Sequence, residues 1–139
     1  MLRRASITTV AVCASMMLVM SGCGGPAPQQ GRILLRESQN SLVRRDYKNT
    51  IAKADRFLRE YGRTNEAGRA YYLRGKAKLA TSNVAGAKAD LEQAVSSSDN
   101  GDVRANARLA LGQMAFDRGQ MVLAEELYRG AVADIEVGK

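Results

Sequence analysis

Tyr71–Ala94, YYLRGKAKLATSNVAGAKADLEQA, reads as two helical runs joined by the polar turn Thr81, Ser82, Asn83. Gly75, Ala87 and Ala94 stand where two antiparallel helices would touch, because a missing or minimal Cβ lets backbones approach. The segments on either side look like copies of this stretch. A step of 37 residues forward from Gly75 lands on Gly112, and the same step back lands on Ser38. Other columns keep the step: Thr50, Ala87 and Ala124 are small, Phe57, Ala94 and Ala131 apolar, Tyr47, Val84 and Met121 apolar, and Ala54, Leu91 and Tyr128 apolar. Self-similarity at a fixed period of this size predicts an all-α solenoid of stacked helical hairpins.

The 139 residues allow one domain, and with 45% hydrophobic but only 5% aromatic residues its core must be built from Ala, Leu, Val and Met. No histidine occurs, which removes the commonest general base and metal ligand. Cys13 and Cys23 both precede Gly24, so the predicted domain holds no thiol for a disulfide, a cysteine metal site or a nucleophile. No cofactor is expected.

Residues 1–22 have the three-part order of a secretory signal: Arg3 and Arg4, then an uncharged run from Ala5 to Met20, then small residues. That run of 16 residues carries Ser6, Thr8, Thr9 and Ser15, whereas a spanning helix needs about 20 predominantly apolar residues. Met20, Ser21, Gly22 and Cys23 resemble the bacterial lipobox, which implies lipidation of Cys23 and cleavage just before it. Met20 stands where the motif usually has Leu. Residues 23–31 then form the lipidated Cys and a linker, since GGPAPQQG has neither charge nor a large apolar side chain and reads as a flexible tether. The formal charge is +7 overall and +5 without residues 1–22. Such a charge suits anionic headgroups or acidic partners; with export predicted and no basic run interleaved with aromatics, no nucleic-acid partner is expected.

The repeats are predicted at about 32–62, 66–99 and 102–136, within a domain of 32–139. The first opens with Ile33, Leu34, Leu35, Ser38, Leu42 and Val43 on a helical stripe, with Asp46 as N-cap of its second helix and Gly62 as the stop. The second carries Tyr71, Tyr72, Gly75 and Leu79, and its partner helix runs from about Val84 to Ser96. The third carries Leu109, Leu111, Gly112 and Phe116, turns at Arg118, Gly119 and Gln120, and continues through Met121, Ala124, Leu127, Tyr128, Ala131 and Val132.

Leu111, Gly112, Gly119, Ala124, Tyr128 and Ala131 resemble the tetratricopeptide repeat (TPR) signature, and Gly75, Ala87, Leu91 and Ala94 match it almost as well. The signature Trp is replaced by Leu34, Tyr71 and Arg108, and the closing Pro by Gly62, Asp99 and Glu136. The resemblance covers Arg32 to about Glu136 and implies a right-handed α-solenoid of three hairpins that binds protein segments along its first helices. The family's groove positions fall on Arg32, Leu35, Gln39 and Leu42 in repeat one, Arg69, Tyr72, Lys76 and Leu79 in repeat two, and Asn106, Leu109, Gln113 and Phe116 in repeat three. The carboxylate clamp of chaperone-binding relatives is missing, its positions reading Leu35, Gln39, Asn106 and Ala110. Phe57–Ala70 resembles repeat boundaries in envelope TPR proteins of the barrel-assembly and Tol systems.

No catalytic residue and no metal ligand is predicted. Asp90 with Glu92, and Glu125 with Glu126, are read as solvated pairs on outer helix faces. Arg44 with Arg45, and Lys76 with Lys78, are likewise read as solvated. The expectation is a non-catalytic protein-binding adaptor lipoprotein of the bacterial cell envelope, lipid-anchored to the outer membrane and facing the periplasm. The alternatives are a pilotin-like chaperone of a secretion or pilus component and a regulator of an envelope enzyme. Self-association or partner docking is expected through the last helix, at Leu123 and Leu127, on the face that a following repeat would meet.

Overall fold

The computed structural model describes residues 25–137; the predicted leader, Cys23 and Gly24 lie outside the described residues. Six helices follow one another: α1 (Gln29–Val43), α2 (Tyr47–Tyr61), α3 (Ala67–Ala80), α4 (Val84–Ser97), α5 (Gly101–Asp117) and α6 (Met121–Val137). Among the described residues there is no strand. The helices pair as hairpins, α1 with α2, α3 with α4 and α5 with α6. Each hairpin packs on the next, and the first helices α1, α3 and α5 meet in succession. The predicted all-α helical repeat is thus the observed architecture.

The three hairpin turns share one backbone. Arg45, Ser82 and Gly119, 37 residues apart, all have positive φ, of 61°, 63° and 74°. The N–H of each of these residues donates to the carbonyl three back, and the following N–H donates to the carbonyl five back: Asp46 to Ser41, Asn83 to Lys78, Gln120 to Ala115, each at 2.9 Å. This Schellman closure satisfies carbonyls the helix end leaves unpaired. Only the third turn uses the glycine that the left-handed conformation favours; the other two bear a cost of order 1 kcal/mol that the two hydrogen bonds offset. The residue after it then caps the second helix. Asp46 accepts from the Asn49 N–H at 3.2 Å and Asn83 from the Gly86 N–H at 3.0 Å, so one residue ends one helix and starts the next.

The small columns lie where the helices meet. Ser38, Thr50, Ala87 and Ala94 are fully buried, and a Cβ on Gly75 would approach Leu91 Cγ to 3.0 Å and the Ala87 carbonyl oxygen to 3.3 Å. Repeat one has Ser38 and Thr50 in place of the glycine and alanine, and both buried hydroxyls are satisfied. Ser38 donates to the Thr50 carbonyl at 3.1 Å, and Thr50 to the Asp46 carbonyl at 2.9 Å. A second small column, Gly31, Gly68 and Ala105, keeps the same period and is buried throughout.

Two core clusters result. One joins Leu35, Phe57, Ala70 and Leu73 between the first two hairpins, and the other joins Leu91, Ala94, Ala107, Ala110, Leu111 and Met114 between the last two. Tyr72 packs against both.

The structure corrects the predicted linker. Within 23–31, Gln29–Gly31 already belong to α1, and Ala27 is only 3% exposed. The Ala27 N–H donates to Glu66 at 2.7 Å, and the Gly25 carbonyl accepts from the Asn65 N–H at 3.2 Å. The lack of large side chains, read as an inability to pack, is what lets this segment lie close against α2 of its own hairpin: a Cβ on Gly31 would meet Tyr61 at 3.0 Å and Phe57 at 3.2 Å.

Candidate functional site

The predicted groove residues all fall on α1, α3 and α5, but the structure sorts them into surface and core. Arg32, Gln39, Arg69, Asn106 and Gln113 are exposed, as are Leu109 (43%) and Phe116 (51%). Arg69 donates to the side-chain carbonyl of Gln39, which ties α3 to α1 at the surface. Leu42, Lys76 and Leu79 come together with Tyr47 and Ala80 around a recess of about 350 Å³. Asn106 donates to the Asp102 carbonyl at 2.8 Å and Gln113 to Asp117 at 2.7 Å, both contacts within their own helix.

Leu35 offers a partner no surface: it is 3% exposed and packs with Phe57 and Leu73. Tyr72 is half-buried between the two clusters, and that desolvation pushes its phenol pKa up. Truncating Tyr72 would therefore read out packing rather than recognition. Phe116 stands apart from Tyr72 at the far end of the stack, lining a recess of about 400 Å³ with Met121, Tyr128 and Val132.

The electrostatics also depart from the expected surface reading. Asp90, expected on an outer face, is 4% exposed. Arg74 grips it with two bonds of 2.8 and 2.6 Å and reaches back to Asp55 on α2 at 2.6 Å, while Lys78 approaches Asp90 at 2.8 Å. The bond to Asp90, ahead of that to Asp55, holds the Arg74 pKa above its ordinary value. Lys78 is thus a pairing residue and not a solvated one. Glu92 remains exposed and lies 3.6 Å from Lys88. The register fixes the place of the pair but not its chemistry: repeat one places Glu37 and Lys53 at the positions of Arg74 and Asp90, paired at 3.3 Å with reversed polarity and more exposed, and repeat three places Leu111 and Leu127 there. Repeat three instead buries Asp134, held by Arg104 at 2.9 Å and by Arg108.

Where Arg74 fills the first junction, the second has a cleft. About 440 Å³ opens between α4, α5 and α6, floored by Val95, Leu111, Met114, Leu123 and Leu127, with Lys88, Arg108 and Arg118 among its lining residues. Leu123 and Leu127 therefore face the preceding repeat, not a following one. Leu127 packs on the second core cluster. The face that repeats one and two turn toward their successor is formed in repeat three by Phe116, Met121, Tyr128 and Val132, in register with Leu79, Val84, Leu91 and Val95. Leu91 is 0% exposed, whereas Phe116, Met121 and Val132 are 51–57% exposed.

Among the described residues no group of three or more His, Cys, Asp or Glu is placed to hold a metal, and no helix is long and apolar enough to cross a membrane. A family model described as a tetratricopeptide repeat-like domain matches residues 29–132. No curated protein and no solved structure matches the chain.

Proposed function

Because the chain belongs to the tetratricopeptide repeat-like family, whose domains mediate protein–protein interaction, we propose that it is a non-catalytic adaptor lipoprotein of the bacterial cell envelope. In this reading Cys23 carries the lipid, and the outer-membrane surface facing the periplasm is the site of action. The observation that carries the binding role is the row of exposed apolar, basic and amide side chains on the first helices, with the recess of Leu42, Lys76 and Leu79 where α1 and α3 end. A cation beside apolar surface suits an acidic segment with one or two large apolar side chains. Family membership supports the absence of catalysis, and so does the pairing of Asp90 and Asp134 with cations, which leaves these buried carboxylates no free role in acid–base work.

Two variants of the full chain in its host test this reading. Lys76→Glu is expected to reduce partner capture at least tenfold while shifting the thermal midpoint by no more than a few degrees, because Lys76 lines the recess without belonging to either core cluster. Unchanged capture would remove the groove assignment. Cys23→Ser is expected to move the protein from the membrane to the soluble fraction, since stable attachment requires more than one acyl chain's worth of anchoring. A mature terminus found by intact mass elsewhere than Cys23, or an unmodified Cys23, would remove the anchor. Capture of a single dominant secretion or pilus component would instead mark a pilotin-like chaperone.

A further inference from the structure

We propose that the open α6 face binds the same face of a second copy, forming a closed two-fold dimer with the two α6 helices antiparallel. The occupant follows from the two ends of the stack. Within the chain, the face of one repeat is covered by the next repeat's first helix: α5 brings Ala107, Ala110, Leu111 and Met114 onto Leu91. The same positions on α1, one end of the described stack, read Ile33, Arg36, Asn40 and Glu37, all exposed and all but the first polar. Docking the α6 face of one copy onto α1 of another would bury these polar and charged groups against Tyr128 and Val132 without partners, at a cost that opposes head-to-tail growth. A second copy is then left with its own α6 face to offer, and a patch that meets itself gives a closed pair rather than a filament.

The spacing on α6 suits that pairing. Met121, Tyr128 and Ile135 recur every seven residues, with Val132 beside them, and Met121, Val132 and Ile135 are 44–57% exposed. A seven-residue repeat keeps one seam facing a partner helix. Met121 and Ile135 also lie symmetrically about Tyr128, so an antiparallel crossing at Tyr128 sets Met121 of each copy opposite Ile135 of the other. Glu125 and Arg129, paired at 2.7 Å within the helix, flank the crossing. In the antiparallel arrangement each Arg129 lies about 3 Å along the axis from the other copy's Glu125 and equally from its Arg129, while the two Glu125 stand about 9 Å apart, so two approaches of opposite sign outweigh one close approach of like sign at the rim. A parallel pair would instead set each of these charges beside its like.

Cysteine cross-linking of the full chain in intact host cells tests the arrangement without reference to the groove or to the lipid. The double variant Met121→Cys/Ile135→Cys is expected to give a disulfide-linked dimer under mild oxidant, and each single variant no more than the background set by the wild-type chain. The two positions are about 21 Å apart along one helix, which excludes an intramolecular bond. Sedimentation of the purified full chain is expected to show a dimer, and Val132→Glu, at a residue 57% exposed, a monomer with an unchanged helical spectrum. A wild-type monomer at all concentrations, single-variant cross-links as strong as those of the double variant, or a cross-linked foreign protein in place of the second copy would overturn the proposal.

Discussion

Arg74→Leu is expected to destabilise the domain by about 3 to 5 kcal/mol, the cost of leaving a buried charge without its principal partner. Asp90 is 4% exposed and would keep only Lys78, at 2.8 Å, of its present two cations. The Arg74 bond to Asp55 at 2.6 Å, which ties α2 to α3, would go as well. Adding Asp90→Leu is expected to recover most of the loss. Repeat three already places Leu111 and Leu127 at this pair of positions, and replacing both members of a buried ion pair by apolar residues is often neutral. The residual Asp55 and Lys78 side chains, 37% and 21% exposed, can turn to water. Urea unfolding of the wild type, both single variants and the double variant completes the cycle. A double variant as unstable as Arg74→Leu alone would mean that the pair is not the origin of the loss.

Gly68→Ala is expected to cost about 2 kcal/mol, although alanine is the better helix former by about 1 kcal/mol. A Cβ at Gly68 would lie 2.4 Å from Ser98 Cβ, 2.7 Å from its Cα and 2.9 Å from its backbone N, so the chain itself must move where α4 ends. Gly130→Ala is the matched control. Its nearest obstacle is Arg108 Cδ at 3.1 Å, part of a long side chain that can shift, and its stability is expected to stay within about 1 kcal/mol of wild type. Thermal melts of the two variants under one condition decide the matter: equal effects would show that helix propensity, not the contact with Ser98, sets the outcome.

The interior of the groove prediction was only partly readable in the chain. The period placed Leu35, Tyr72 and Phe116 on first helices, where they are found. It did not say that Leu35 would be sealed beneath Phe57, that Tyr72 would bridge two core clusters, or that Phe116 would stand at an open end. A helical stripe records that a side chain is apolar. It does not record whether the next hairpin covers it, because that depends on the rotation between successive repeats.

The sequence by itself determined the helices, the three turns and the 37-residue repeat, because these rest on local chemistry: small residues at close contacts, a capping Asp46 or Asn83, and a glycine at the left-handed position of the third turn. Tertiary structure alone decided which of two neighbours each face meets. It buried Asp90 against Arg74 rather than exposing it, drew Ala27 into the core, turned Leu127 toward the preceding repeat and left Met121 and Val132 uncovered. The physical reason is that each second helix lies between its own hairpin partner and the next repeat. Which contact a residue makes is set by the crossing of packed helices, and residues 37 positions apart keep the same place while their chemistry changes from an ion pair to its reverse to two leucines.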